Sequence, residues 1–98
     1  MNPDRSAIVD GPIRRADDVS SSGVQDRAVL YSSTQSKAIV LNPTGAVLWE
    51  ALEAPCRPSE LADLLIRRFP DLSPDRAHAD VAAFLDRLVG ENVLRRDS

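Results

Sequence analysis

Apolar and polar residues alternate over short stretches in the first part of the chain, and helical spacing replaces this pattern after residue 42. Residues 1–16 show no consistent period and contain Pro and Gly, so they predict a flexible N-terminal arm. Three short strands follow at about 18–24, 27–32 and 37–41, because alternating apolar and β-branched residues are typical of half-buried strands. The short links between them predict an antiparallel sheet with residues 37–41 at its edge.

Three amphipathic helices follow the strands, at about 43–53, 58–69 and 74–91. The first and third begin at Asn42-Pro43 and Ser73-Pro74, where the side-chain oxygen caps the helix and Pro occupies the first turn. Apolar residues recur three and four positions apart on each helix, as expected when one face packs on a core. The pattern therefore predicts one α+β domain in which the strands precede the helices.

The charge balance narrows the choice of partners. The chain has 98 residues, 12 basic and 15 acidic side chains, and a formal net charge of −3. No segment concentrates positive charge, which argues against nucleic acid as a partner. No apolar run reaches the length of a membrane span, and the first residues lack the features of a secretory signal. A single cysteine fits a reducing compartment, so we expect a cytoplasmic protein with no membrane partner.

Side chains that would support catalysis are sparse. There is no Gly-rich phosphate loop and no Gly-x-Ser-x-Gly elbow. His78, the only histidine, is predicted at the solvent border of the third helix, and Cys56 is predicted as a small packing residue in a Pro-flanked loop. Trp49 shares a helix face with other apolar residues and is predicted as a core anchor. We therefore expect no catalytic residue, no metal site and no cofactor.

The apolar strand at 37–41 is the main functional feature of the sequence. An edge strand offers a row of unpaired backbone donors and acceptors, which natural proteins usually cover or blunt. An edge that stays open can bind an extended peptide as an additional strand. The residues alone leave two interpretations: peptide binding at this edge, or coverage of the edge by the N-terminal arm or another subunit.

The segment LNPTGAVLWEAL at residues 41–52 resembles the signature of the PqqD-like family, the small leader-peptide recognition domains of ribosomally made, modified peptides. The rest of the resemblance follows in order. SELADLLIRRF at 59–69 is similar to the second helix of the family, and ADVAAFLDRLVGENVL at 79–94 is similar to its last helix and closing apolar pair. The resemblance covers roughly residues 18–95 and identifies residues 17–96 as a PqqD-like peptide-recognition domain.

The resemblance implies a winged-helix-like fold, a three-stranded antiparallel sheet followed by a three-helix bundle, with no catalytic activity. In the family, the leader of a precursor peptide adds as a strand to the third strand, in the groove between that strand and the third helix. The corresponding positions in this chain are Lys37, Ala38, Ile39, Val40 and Leu41 on the strand, and Asp80, Ala83, Phe84, Arg87 and Leu88 on the helix.

The resemblance also assigns roles to some of these side chains. Apolar pockets beside Phe84 and Leu88 would accept hydrophobic side chains of the leader, while Lys37 and Arg87 would attract its carboxylates. Alternation over five residues does not decide which face of the strand at 37–41 lines the groove.

Two departures from the family pattern are visible. The family usually has a glycine or acidic-glycine turn between its first two helices, whereas this chain has Glu53-Ala54-Pro55-Cys56-Arg57, so the family pattern does not support the predicted start of the second helix at residue 58. Ser20-Ser21-Ser22 weakens the first strand and would leave it free to exchange between chains.

The resemblance implies a precursor peptide as ligand and a modifying enzyme as second partner, such as a leader protease, a cyclase or a radical SAM protein. The form N-P-T-G-x-x-x-W, which ends at Trp49, resembles stand-alone domains of lasso-peptide and related pathways. The alternative is a peptide chaperone of pyrroloquinoline quinone biosynthesis.

Other classes of function are also open at this point. A winged-helix DNA-binding module is a remoter alternative, and a subunit that lends His78 or Cys56 to a shared active site is a third. An open edge would also permit a homodimer, whose formation should compete with leader binding.

Overall fold

The computed structural model describes residues 11–96, which contain five strands and three helices. In chain order these are β1 (Ile13–Arg15), β2 (Val19–Val24), β3 (Arg27–Ser32), β4 (Lys37–Leu41), α1 (Pro43–Ala51), α2 (Pro58–Arg68), α3 (Pro74–Gly90) and β5 (Leu94–Arg96). The strands β2, β3 and β4 form an antiparallel sheet in that order, and the three helices follow them along the chain. This confirms the predicted fold class of three antiparallel strands followed by three helices.

Each helix begins where the sequence supplies acceptors for its free N–H groups. The Asn42 side chain accepts a hydrogen bond from the Gly45 N–H at 2.8 Å, and the Ser73 hydroxyl accepts from the Arg76 N–H at 3.2 Å. At the start of α2 the Glu60 carboxylate instead accepts from the Arg57 N–H at 2.9 Å. A carboxylate in the first turn caps a helix from within, so α2 begins at Pro58 despite the departure from the family turn.

The core lies between the sheet and the helices. Leu30, Ile39 and Leu41 point from one face of the sheet toward the helices and are buried. The helices contribute a set of buried apolar residues in contact with them: Leu48, Trp49, Leu61, Ala62, Leu65, Ala77, Val81, Leu85 and Leu88. Trp49 is 2% exposed, which confirms its predicted role as a core anchor.

The residues just before β2 correct the predicted flexible arm. Ile13 is fully buried, and its N–H donates to the Cys56 carbonyl at 2.7 Å while its own carbonyl accepts from the Cys56 N–H at 3.0 Å. Its strand β1 pairs with β5, a two-stranded sheet that the sequence did not predict. Burying an Ile side chain is worth about 1.5–3 kcal/mol, which outweighs the weak local pattern there. The rest of the predicted arm, residues 1–10, lies outside the described residues.

The end of the chain is held in the same way. Val93 and Leu94, the closing apolar pair, are both 1% exposed, and Leu94 begins β5. The Ala16 N–H donates to the Val93 carbonyl at 3.0 Å, so the two ends of the described chain stabilise each other. Among α1 to α3, the helices within residues 11–96, none combines the length and hydropathy that a membrane span needs.

Candidate functional site

The two-residue turn between β2 and β3 determines which backbone groups the sheet edges present. Val24 pairs with Arg27 across Gln25-Asp26, and the closing pair of such a hairpin exchanges both backbone hydrogen bonds. Successive residues of a strand direct their N–H and C=O groups to opposite sides, so alternate residues of β3 bond to β2 and to β4. The Ser33 N–H donates to the Asp18 carbonyl at 3.1 Å, in agreement with this alternation.

The same alternation identifies the free backbone groups of β4. Leu41 and Ile39 pair with Ala28 and Leu30, the residues of β3 whose backbone groups point toward β4. Ala38 and Val40, which lie between them, therefore direct their N–H and C=O groups away from the sheet. Within the described residues β4 pairs only with β3, so these groups form an open edge.

Burial along β4 decides which face of the strand points to the helices. Ile39 and Leu41 are 5% and 2% exposed and belong to the core, whereas Ala38 is exposed and Val40 is 56% exposed. Residues with free backbone groups, Ala38 and Val40, therefore alternate along β4 with residues whose side chains are anchored in the core, Ile39 and Leu41. This anchoring holds the edge in place while leaving its backbone accessible.

A groove of about 490 Å³ lies between the end of β4, the start of α1 and one face of α3. Its lining consists of residues from these three elements and from the start of β3: Arg27, Val40, Leu41, Asn42, Thr44, Gly45, Leu48, Arg76, Asp80, Ala83, Phe84 and Arg87. Phe84, which is half-buried, provides the accessible apolar surface of its floor, beneath which Leu41 and Leu48 are buried, and charged residues surround it. We name this the β4 groove.

Gly45 allows the close packing at the floor of the β4 groove. A Cβ atom at this position would lie 3.2 Å from the Asn42 Oδ1, 3.4 Å from the Leu41 Cβ and 3.5 Å from the Phe84 ring. The first distance is tighter than ordinary van der Waals contact, and the crowded atom is the oxygen that caps α1. The Asn-Pro-Thr-Gly segment thus caps the helix and lets α3 approach the end of β4.

Only some of the charged side chains around the β4 groove form ion pairs. Arg76 and Asp80 form an ion pair on α3 with a distance of 3.1 Å between Nε and Oδ1. Lys37, at the other end of β4, pairs with Glu91 at 3.2 Å. Arg27 and Arg87 are exposed and form no ion pair within residues 11–96. Two unpaired cations therefore face a groove in a chain of net charge −3.

The predicted site residues divide into two sets in the structure. Six of them line the β4 groove together: Val40, Leu41, Asp80, Ala83, Phe84 and Arg87. Four do not line it: Lys37, Ala38, Ile39 and Leu88. Ala38 presents only backbone to the edge, and Lys37 is held by Glu91. Leu88 is fully buried, so the pocket expected beside it is filled by the core itself.

The sequence interpretation also missed residues that line the β4 groove: Arg27, Asn42, Thr44, Gly45, Leu48 and Arg76. The position of Arg27 could have been predicted from the sequence. The four-residue link between β3 and β4 fixes the register in which the two strands pair, and this register brings Arg27 beside the end of β4. For Arg76 and Leu48 no such signal exists, because the crossing of α1 and α3 is a property of the packed structure.

A second groove of about 500 Å³ lies at the opposite edge of the sheet, between β2 and the helices α1 and α2. Arg15 and Trp49 are among the residues that line this β2 groove. The Arg15 guanidinium lies 4.4 Å from the centroid of the Trp49 ring and donates to the Trp49 carbonyl. Burial lowers the pKa of Arg15, an effect opposed by Glu53 and Glu50. A side chain of the protein itself thus stacks on Trp49, one of the two aromatic residues that line this groove.

The remaining reactive side chains are placed without catalytic partners in the described part of the chain. His78 is exposed on α3. The Cys56 thiol is half-buried and donates to the Ala51 carbonyl at 3.1 Å, and burial, followed by the charge of Glu60, raises its pKa. A raised pKa keeps the thiol protonated and weakly nucleophilic. Residues 11–96 contain no group of three His, Cys, Asp or Glu side chains arranged for a metal ion.

Comparisons with known proteins give a family and a fold. The family model described as "Coenzyme PQQ synthesis protein D (PqqD)" matches residues 27–94. The solved structure "TbiB1 in Complex with the TbiA(beta) Leader Peptide" is similar with a TM-score of 0.79 and 24% identity, over 87% of this chain and 98% of that chain. "Lasso peptide synthetase B1 complexed with the leader peptide" is similar with a TM-score of 0.68 and 23% identity, over 84% and 94%. No curated protein matches the chain.

Proposed function

The chain belongs to the PqqD family, and from this premise we propose that it binds the leader segment of a ribosomally made precursor peptide. The peptide would add as a strand to β4, pairing with the backbone groups of Ala38 and Val40, while alternate side chains enter the β4 groove. Strand addition provides affinity through the backbone and specificity through pockets for every second side chain.

One observation carries this proposal: the open backbone edge and the groove occur at the same strand. An open edge by itself binds extended chains without selection, and a groove by itself does not impose an extended conformation. Val40 contributes an outward backbone N–H and also lines the groove, so a strand paired there would direct alternate side chains into the space that Phe84 lines. The two similar solved structures are both complexes with a leader peptide, which supports the same use of the fold.

The protein would act without catalysis, as a module that delivers the peptide to a separate modifying enzyme. The side chains of the β4 groove include no nucleophile with a base beside it, and the buried Cys56 thiol lies outside this groove. We place the pathway among lasso-peptide and related pathways, because one of the two similar structures is a lasso peptide synthetase B1 and the chain carries the N-P-T-G-x-x-x-W form. A leader protease or cyclase would then be its enzymatic partner, in the cytoplasm.

The test is a titration of isotope-labelled protein with synthetic leader peptides of precursors encoded beside its gene, followed by amide NMR. We expect shifts concentrated at residues 37–41 and 80–87, with slower amide exchange at Ala38 and Val40. The β2 amides of Ser21 and Gly23 provide the internal control, because they lie at the other edge of the same sheet. Binding that shifts β2 and leaves β4 unchanged, or no binding by any of these leaders, would contradict the proposal.

The same samples test for a homodimer through the open edge. If two copies pair through β4, amide exchange at Val40 is already slow in the free protein and the leader has to displace the second copy. The apparent affinity for the leader would then fall as the protein concentration rises, whereas a monomer binds with one affinity at all concentrations.

A further inference from the structure

The unpaired arginines of the β4 groove indicate what kind of peptide it takes. Arg76 is neutralised by Asp80, and Lys37 is held outside the groove by Glu91. Arg27 and Arg87 remain without an ion pair in the described part of the chain, and both line the groove, Arg27 at a position where it also borders the β2 groove. Their positive charge is local, since the whole chain carries an excess of acidic residues. A groove of this kind attracts carboxylates.

The two arginines lie toward opposite ends of β4. The pairing of Ala28 with Leu41 brings Arg27 beside the C-terminal end of β4. The ion pair between Lys37 and Glu91 brings the end of α3 beside the N-terminal end of β4. Arg87 lies one turn before Glu91 on α3, so it is nearer to that N-terminal end. Between the two arginines lies the apolar floor.

The two-residue period of an extended peptide determines which peptide sequence fits the two arginines and the apolar floor. Side chains of a peptide strand face the same side at every second residue, so groups that enter the groove are separated by an even number of positions. A separation of two residues, about 7 Å, leaves no side chain between the carboxylates for the apolar floor. A separation of four residues, about 13 Å, leaves one side chain between the two carboxylates, which can contact Phe84.

We infer that the peptide bound at the β4 groove contains the pattern acidic–x–apolar–x–acidic, with its two carboxylates at Arg27 and Arg87 and its apolar side chain on Phe84. This inference rests on the proposed function and adds the chemistry of the ligand to it. The resemblance suggested Lys37 for one of these contacts with a carboxylate, and in this inference Arg27 makes the contact instead.

The test is selection from a displayed library of random dodecapeptides on immobilised protein at about 50 mM salt. The variant Val40→Pro removes an edge N–H and serves as the counter-selection, so that only peptides using the β4 edge are retained. We expect these peptides to be enriched in two Asp or Glu residues four positions apart with an apolar residue midway. Exchanging both acids for their amides in a selected peptide should weaken binding about tenfold, because each exposed pair contributes modestly.

Protein variants show whether the arginines cause this effect. Arg27→Gln combined with Arg87→Gln should bind the acidic and amide peptides equally, whereas Arg67→Gln, an exposed arginine outside both grooves, should still prefer the acidic peptide tenfold. Edge-dependent peptides without acidic enrichment, or an unchanged preference in the double variant, would overturn the inference and leave the proposed function intact. If the library yields no peptide that depends on the β4 edge, the proposed function fails and the inference fails with it.

Discussion

The two edges of the three-stranded sheet lie beside grooves of similar volume, but they differ in how the edge strand is anchored and in what the groove contains. Each edge strand pairs on one side only within residues 11–96, and each lies beside a groove of nearly the same volume, about 490 Å³ at β4 and 500 Å³ at β2. The strand β4 carries two buried anchors, Ile39 and Leu41, whereas in β2 only Val19 is even partly buried. One edge is therefore held firmly by the core, and the other is attached mainly through its pairing with β3.

The contents of the two grooves differ as well. The β2 groove contains the stacked pair of Arg15 and Trp49, so a side chain of the domain already contacts its aromatic surface. In the β4 groove Leu41 and Leu48 are buried, and the half-buried Phe84 carries no stacked cation of the described residues. Groove volume alone would not distinguish the two edges. Strand anchoring, accessible backbone and an uncovered apolar floor together favour β4 as the peptide edge.

The largest expected difference between the edges comes from proline substitution. Val40→Pro removes an outward N–H without breaking a bond to β3, and Ser21→Pro does the same at the β2 edge. We expect Val40→Pro to weaken leader binding about 100-fold, from about 1 kcal/mol for the lost bond and about 2 kcal/mol for the unsatisfied acceptor. Ser21→Pro should leave the affinity within about twofold, as measured by calorimetry. Equal losses in both variants would show that the edges are not distinct.

The two phenylalanines of the chain offer a matched comparison of the grooves. Phe84 lines the β4 groove and Phe69 lines the β2 groove, and both are half-buried. Truncation of either to Ala should lower the free energy of unfolding by about 1–3 kcal/mol. Only Phe84→Ala should also weaken peptide binding, by about tenfold, because it removes part of the floor. A comparable loss of affinity in Phe69→Ala would place peptide side chains in the β2 groove.

A smaller effect is expected from Arg15. The substitution Arg15→Ala removes the cation stacked on Trp49, which should lower the free energy of unfolding by about 1 kcal/mol. Denaturant unfolding monitored by the fluorescence of Trp49, the only tryptophan, measures this directly. Leader affinity should stay unchanged, because Arg15 lies on the side of the β2 groove. A gain of peptide binding at β2 in this variant would show that Arg15 alone prevents peptides from binding in the β2 groove.

The smallest effect concerns Asp18, which links the start of β2 to the loop before β4. Its carboxylate accepts hydrogen bonds from Thr34 and from the Ser32 hydroxyl, the latter at 2.9 Å, and these bonds lower its pKa. Because the pKa is lower in the folded state, Asp18 stabilises the fold at neutral pH, and this contribution is lost as the pH falls below the ordinary value of 3.8. The difference in Tm between wild type and Asp18→Asn should therefore shrink between pH 5 and about pH 2. A difference that stays constant with pH would contradict this assignment.

The sequence by itself determined the elements with strong local signals. Asn42-Pro43 and Ser73-Pro74 set the starts of α1 and α3, since an N-cap oxygen and a first-turn proline act within four residues. Alternation in 27–32 and 37–41 predicted β3 and β4 and the edge position of β4, because a short link joins neighbours in a sheet. Six of the predicted site residues lie on or beside these elements and line the β4 groove, and their role in peptide binding stays a prediction.

Only the tertiary structure decided the features that depend on distant contacts. Ile13 enters the core through its pairing with Cys56 and β5, and nothing near it in the sequence marks it as a strand. Leu88 and Phe84 lie one turn apart on α3, yet the first is fully buried and the second lines the β4 groove. Their difference is a rotation around the helix axis set by packing against α2 and the sheet. Likewise, Lys37 forms its ion pair with Glu91 because the end of α3 meets the start of β4 only in the folded domain.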